Sequence, residues 1–426
     1  MKISVLIPTF NREDFLQYTL ESCTSQKSDD VEFVVCDDAS TDNTEQMVKQ
    51  FSVSDARVRY VRQPENLGML ANFEAGLTHC RNEYIFALGA DDALMPNSIA
   101  TILDILATTK CELLTWPTAA FFYPGTRDSC GQLVIPIAKM DKQLTWIESK
   151  DFFDRQARNL HYVADEDCPM IYVKSIASRK IIDKVIERSG GKFYSCSTPD
   201  GYSGIVLAGE VKKYLKYNFP LTMHGVSSNS AGVNYISRVS KSADLSEKFF
   251  QNANKKPLHQ ELGSADYSPL ISIMTADFLL TCLDLPGWAG QIPKIDIKNL
   301  IRKSLDEVCD GLMDEKKAAR ELEIIEIIAR HNGLYEYFKA QASRKKRNLR
   351  RTLEGDAFSP RLLYLNSSDL GVENVYEATH FVKNFIHARQ RVTLSNFLVM
   401  VVNSLRYYIL GKLRKDPLSV LLSYRK

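Results

Sequence analysis

Through residues 1 to 116, short apolar, β-branched runs alternate with stretches in which apolar positions recur every three or four residues. The runs 3–7, 31–36, 58–61, 84–88 and 112–116 predict strands, and 13–25, 42–51, 69–80 and 97–108 predict the helices between them. That alternation predicts βαβ units, hence an α/β fold whose mostly parallel sheet is covered on both faces. Beyond it, Pro117, Pro124, Gly125, Asp128 and Gly131 read as loop, and a helix is expected near 175–188. After about residue 240 the strand signal is lost, and helical periodicity runs through 265–284, 296–310, 315–331, 374–388 and 391–413. The expected organisation is an α/β domain over 1–235 and a separate α-helical region over 236–426, in keeping with a prior of about 150 residues per domain.

Composition alters this picture little. Apolar residues make up 45% and charged residues 25% of the chain, which predicts a packed protein. The 54 basic and 52 acidic side chains sum to +2, so nothing global calls for a nucleic acid partner. Nine cysteines without a CxxC pair or zinc-ligand spacing speak against a disulfide framework and for a reducing cytoplasm. Neither a cleavable secretory leader nor an uninterrupted apolar stretch of about 18 residues is visible. Local charge is more informative. Arg344, Lys345, Lys346, Arg347, Arg350 and Arg351 form one basic cluster, and Arg406, Lys412, Arg414 and Lys415 form another beside a broken apolar run over 394–410. Such a helix suits peripheral docking on the inner face of the cytoplasmic membrane, and equally a bundle or a homo-oligomer contact.

Open α/β sheets bind ligands at the carboxyl ends of their strands, and those ends are unusually polar here. Pro8-Thr9-Phe10-Asn11-Arg12 follows the first strand and is suited to holding a nucleotide, or is an ordinary turn with Asn11 as a cap. Asp37-Asp38 ends the second strand, where a carboxylate can accept from a base or ribose. Pro64-Glu65-Asn66-Leu67-Gly68, with Asn72 on the next helix, is a weaker turn signal on the same edge. After the fourth strand comes Gly89-Ala90-Asp91-Asp92, whose adjacent carboxylates repel and lose solvation, so that a divalent cation, Mg²⁺ or Mn²⁺, is the natural compensation. Asp200 precedes an apolar helix and is either its cap or a general base for an attacking hydroxyl. His224, in a compact polar segment, is a structural histidine, or a group completing a metal shell or contacting a diphosphate.

Taken together, SVLIPTFNR, FVVCDDASTDNT, ENLGMLANFEAGL, YIFALGADDALMP and TPDGYSGIVLA resemble, in order and spacing, the family 2 glycosyltransferases over about residues 1 to 230. The resemblance implies a GT-A fold and inverting transfer from a nucleotide-sugar donor, UDP-linked by preference. The acceptor it implies is a glycan or a lipid-linked saccharide of cell-surface polysaccharide synthesis, O-antigen or capsule. It implies that Pro8, Thr9, Asn11, Asn66, Gly68 and Asn72 line the nucleotide pocket and that Asp38 contacts the base. Asp91 then lies nearer the sugar or ribose, Asp92 is the metal ligand, with His224 taken beside it from its own position, and Asp200 is the catalytic base. The family's leading metal-motif Asp is Gly89 here, and its frequent Glu-Asp before the base helix is Pro199-Asp200. A non-catalytic sugar-binding or assembly subunit is the alternative, and it would need no base.

Overall fold

The computed structural model describes residues 1–126, 131–137, 140, 142–228, 256–310, 313–345, 357–358 and 362–391. In chain order the elements of the first half are β1 (Ile3–Thr9), α1 (Glu13–Thr24), β2 (Val31–Asp37), α2 (Thr44–Ser54), β3 (Val58–Arg62), α3 (Met69–His79), β4 (Tyr84–Ala87), β5 (Ala93–Leu94), α4 (Ser98–Thr109) and β6 (Leu113–Thr115). Then follow β7 (Thr118–Phe122), β8 (Gln132–Pro136), β9 (Leu144–Glu148), α5 (Ser149–Asn159), β10 (Ser175–Ser178), α6 (Arg179–Arg188), α7 (Pro199–Gly209), β11 (Lys213–Tyr217) and β12 (Thr222–Val226). The rest comprises α8 (Ile271–Leu283), α9 (Ile297–Cys309), α10 (Glu315–His331), α11 (Tyr335–Arg344), β13 (Ala357–Phe358), β14 (Leu362–Asn366) and α12 (Val375–Arg391).

An eight-stranded sheet runs β3-β2-β1-β4-β10-β6-β11-β9. Four of its seven pairings are parallel: β3 with β2, β2 with β1, β1 with β4 and β6 with β11. Period-two alternation explains its burial on both faces. Val5 and Ile7, with Phe33 and Val35, join the core formed with α1, α2 and α4, while Leu6, Val34 and Cys36 join the core on the other face. A second, six-stranded sheet runs β13-β14-β8-β7-β12-β5, and in it β12 lies parallel to β7 and antiparallel to β5.

The structure corrects three readings of the pattern. The stretch 175–188 is a helix only from Arg179; Ser175–Ser178 is a fully buried strand held between β4 and β6, and four small residues are too few to show a period. The presumed loop from 117 contains β7, whose partner β8 begins at Gln132, and alternating buried positions along both outweigh the flanking turn residues. The strand signal does not end at 240, because β14 pairs with β8.

Met1–Thr379 form one compact unit and His380–Lys426 another, whereas the sequence pattern sets its boundary at 235. Within the first unit, Ile273, Phe278, Leu300 and Ile325 share a core with Tyr202 and Ile205 of α7. The basic cluster beyond Lys345 and the apolar run 394–410 lie outside the described residues. Among those described, no helix is long and apolar enough to cross a membrane.

Candidate active site

Thr9 pairs in register with Asp37, so the loops leaving β1 and β2 emerge side by side. Asp37 organises the second loop. Its carboxylate accepts from the Ser40 amide at 3.0 Å and the Ser40 hydroxyl, and also from the Tyr60 hydroxyl at 2.5 Å and Arg62 at 3.0 Å. This grip accompanies a left-handed Ala39, φ 61°, a conformation costing about 1–2 kcal/mol in a residue with a Cβ. Asn11, at φ 50°, gives its amide to Ser40 Oγ at 2.9 Å and accepts the Thr41 amide on Oδ1 at 2.8 Å, so its side chain braces the two loops together.

Asp38 is 2% exposed. Its two carboxylate oxygens accept from the amides of Leu67 at 2.7 Å and Gly68 at 2.9 Å, and Asn66 Nδ2 donates to its carbonyl oxygen at 3.1 Å. Asp38, Asn66 and Gly68 are thus brought together, whereas Asn72 is not: it is buried, donates to the Cys36 carbonyl at 2.9 Å and accepts from Cys36 Sγ at 3.2 Å. Thr9 differs from all of these. Its hydroxyl, one residue beyond half-buried Pro8, is buried with no hydrogen-bond partner among the described residues, an uncommon state for a buried polar atom.

The chain leaves β4 through Gly89-Ala90-Asp91-Asp92 and enters β5, against which β12 lies antiparallel. Asp92 is wholly buried. Its Oδ2 accepts from the Gly89 amide at 2.7 Å, while Oδ1 accepts from the Gly225 amide at 2.8 Å and lies 3.0 Å from His224 Nδ1. Ser227 Oγ donates to Asp91 at 2.7 Å. Gly89 stands where the family's leading Asp would, and a Cβ there would lie 2.5 Å from Asp92 Oδ2 and 2.6 Å from the Tyr172 hydroxyl. A side chain there would have to displace the Asp92 carboxylate or the Tyr172 hydroxyl.

Burial raises the Asp91 carboxyl and neighbouring Asp92 raises it further, against the opposing charges of Arg12 and His224 and the bond from Ser227. For His224, burial disfavours the charged ring, but Asp92, Asp91 and Asp200 outweigh it and lift the imidazole to about 9. With nothing but protein around it, the three carboxylates thus favour the protonated ring of His224. Asp92 Oδ1 and His224 Nδ1, 3.0 Å apart in a hydrogen bond, could both turn to a divalent cation once the imidazole gives up its proton. Among the described residues no three His, Cys, Asp or Glu side chains converge into a closed cage.

α7 opens on Pro199, a residue suited to a first turn, and presents Asp200 next. No other described residue donates a hydrogen bond to its carboxyl. Burial lifts it to about 6, with Asp92 adding to the rise and His224 and its own amide opposing it. The loop before α7 is tethered to the donor-side helix α3, since Glu74 accepts the amides of Phe193 at 2.8 Å and Tyr194 at 2.9 Å. Glu74→Ala is expected to cost about 1–3 kcal/mol of stability by orphaning both amides. Transfer should slow while donor affinity stays put; a melting curve and a kcat-against-KM comparison check this, and an unchanged kcat would remove Glu74 as a positioning residue.

Residues 4–169 match the family model described as "Glycosyl transferase family 2". The chain carries a family 2 glycosyl transferase domain. That domain is 33% identical over 103 residues to the GalNAc(5)-diNAcBac-PP-undecaprenol beta-1,3-glucosyltransferase of Campylobacter jejuni, a stretch covering 24% of this chain and 33% of that relative. It is 36% identical over 105 residues to the abequosyltransferase RfbV of Salmonella typhimurium, covering 24% of this chain and 32% of the relative. The matched stretch thus spans about a third of these relatives' length. Among solved structures, S. aureus TarS 1-349 in complex with UDP-GlcNAc aligns with a TM-score of 0.44 at 13% identity, over 80% of this chain and 92% of that one. The sheet of the glycosyl transferase domain, with helices on both faces, is the GT-A arrangement expected from the motifs. His224 and Asp200 lie beyond the matched stretch.

Four residues of this site have no counterpart among the sequence-derived site residues: Arg12, Tyr172, Ser227 and Glu74. Arg12 and Ser227 stand inside motifs already singled out, so their neighbours were the signal. Tyr172, whose hydroxyl closes over Gly89, and Glu74 act across long sequence separations that no local pattern reveals.

Proposed function

We propose that the chain is an inverting, metal-dependent glycosyltransferase. It moves a sugar from a nucleoside-diphosphate donor, UDP-linked by preference, to a hydroxyl of a glycan or lipid-linked acceptor in cell-surface polysaccharide synthesis. The observation that carries this reading is Asp200: a half-buried carboxyl, bonded by no other described residue, lifted to about 6 and feeling the charges of Asp92 and His224. A group of that kind is ionised at neutral pH yet basic enough to accept a proton.

Asp200 takes the proton of the acceptor hydroxyl as its oxygen attacks the anomeric carbon. The nucleoside diphosphate departs from the opposite face, and configuration inverts. Thr9 Oγ1 supplies a free donor and acceptor at the nucleotide side, and the Asp38 loop shapes the base pocket together with Asn66 and Gly68. Asp92 and His224 would hold a divalent cation, Mn²⁺ or Mg²⁺, which disperses charge on the leaving diphosphate when bound. The working location is the cytoplasm, at the inner membrane face where a lipid-linked acceptor is presented, and a homo-oligomer is compatible with the same reading.

Nucleotide release from a panel of UDP-, GDP- and dTDP-sugars tests it. Release from at least one donor is expected in Mn²⁺, and EDTA should suppress it by about 10²-fold. A non-catalytic subunit would bind a donor and never release its nucleotide, and that result would overturn the assignment.

A further inference from the structure

We propose that the groove between α5, α9 and α11 is a second saccharide-holding site, one that takes a short segment of an acidic glycan bearing carboxylate or phosphate groups. Its cavity measures about 620 Å³, inside the roughly 300–1,000 Å³ range of ligand pockets. Five cations line it: Arg158 at the end of α5, Lys294 ahead of α9, and Lys298, Arg302 and Lys303 on α9. Only two carboxylates, Asp154 and Asp296, face them, and Asp296 is engaged as the cap of α9, accepting from the Lys298 amide at 2.9 Å. Among the described residues Arg302 alone of the five has a carboxylate partner, Asp306 at 3.4 Å. Protein surfaces ordinarily intersperse charges of both signs, so a concavity in which four of five cations lack a carboxylate partner among the described residues calls for an anion.

The cluster is also held in place. Asn299 Nδ2 donates to the Arg158 carbonyl at 2.8 Å, pinning the start of α9 to the end of α5. Half-buried Tyr337 completes the wall, with the Lys298 ammonium 5.8 Å from its ring centroid. A ring beside a cation suits a pyranose that carries an anionic substituent, apolar face to the ring and charge to the lysine. The groove continues, because a neighbouring cavity of about 770 Å³ shares Asn159 and Lys303 with it. In that continuation the cations other than the shared Lys303 are internally satisfied, Arg155 by Asp165 and Asp167, and Lys216 by Asp167. Free charge is therefore confined to one end of a path longer than a single sugar.

A membrane surface fits the groove less well, since interfacial docking inserts large apolar side chains. None of the exposed ones among the described residues, Trp146, Leu144 and Leu283 included, lines this cavity. Nucleic acid would call for an extended basic face, and the chain's net charge is only +2. The inference rests on the glycosyltransferase reading, in which binding remote units of a polymeric acceptor helps to position the reacting one.

Calorimetric titration of the full chain with hexagalacturonate and with neutral maltohexaose, both without donor, tests the site. Hexagalacturonate should bind and weaken as salt is raised, and maltohexaose should not. Arg158→Gln with Lys303→Gln should lower hexagalacturonate affinity about tenfold or more, leaving the melting temperature and donor-dependent nucleotide release unchanged. Equal binding of maltohexaose, unchanged affinity in the double variant, or a preference for phosphatidylglycerol vesicles or single-stranded DNA over hexagalacturonate would each overturn it. Because binding is read without turnover, absence of nucleotide release would count against the proposed activity and not against this site.

Discussion

Replacing Asp200 by Asn is expected to slow transfer by about 10²–10⁴-fold, the usual contribution of a general base, and at the same time to raise thermal stability at neutral pH. Both effects come from one cause. Burial lifts the Asp200 carboxyl from 3.8 to about 6, so the folded chain holds this proton more tightly than the unfolded chain does. The stability so contributed is full below pH 3.8 and is lost as pH rises through about 6. At pH 7.5 the ionised carboxylate therefore costs up to about 3 kcal/mol, at about 1.4 kcal/mol for each pH unit of displacement. Asparagine keeps the shape and removes the charge. The variant should melt a few degrees above the wild type at pH 7.5, with the gap closing below pH 5, and wild-type kcat/KM should fall as pH drops through about 6. A fully active Asp200→Asn chain would move the base elsewhere. An inactive one that melts no higher at pH 7.5 would show that the carboxyl is not desolvated.

That combination also explains what could be seen in the sequence. The stretch from β1 to α4 was legible because each of its strands carries its own period and each intervening helix its own apolar stripe, so β1 to β4 and α1 to α4 fall within a few residues of the expected bounds. β10 was hidden, since Ser175–Ser178 becomes a strand only by fitting between β4 and β6. The site divides along the same line. Asp91 and Asp92 are marked as adjacent carboxylates leaving a buried strand, whereas Asp200, at the start of α7, reads as readily as a helix cap until its surroundings are seen. The tasks of Asn11 and Asn72 could not be read in the same way: one braces two loops and the other fills a buried hydrogen-bonding position, and both depend on partners more than 25 residues away, Ser40 and Thr41 for the first and Cys36 for the second. Gly89 shows the converse, a departure from the family motif that becomes intelligible only when Asp92 Oδ2 and the Tyr172 hydroxyl are seen where its side chain would be.

Gly225→Ala should damage the site from beneath. A Cβ at this position would stand 1.6 Å from the Asp91 carbonyl oxygen and 2.5 Å from the Asp91 carbonyl carbon. Both are backbone atoms, so no rotamer change relieves the overlap; either β12 or the Asp91-Asp92 loop must move. The same residue donates its amide to Asp92 Oδ1 at 2.8 Å, and its neighbour His224 lies 3.0 Å from that oxygen, so any such movement pulls apart the carboxylate and the imidazole together. Overpacking of this kind costs about 1–3 kcal/mol. Misplacement by about 1 Å at a reacting centre costs on the order of 10²-fold in rate. The expected signature is therefore a modest drop in melting temperature with a disproportionate loss of kcat/KM, and with Mn²⁺-dependent donor binding weakened in parallel. The measurement separates this from general destabilisation, because activity assayed well below the new melting temperature would recover if unfolding were the only defect. Wild-type stability and wild-type donor affinity in Gly225→Ala would mean that β12 does not pack against the acidic loop as closely as described, and would detach His224 from Asp92.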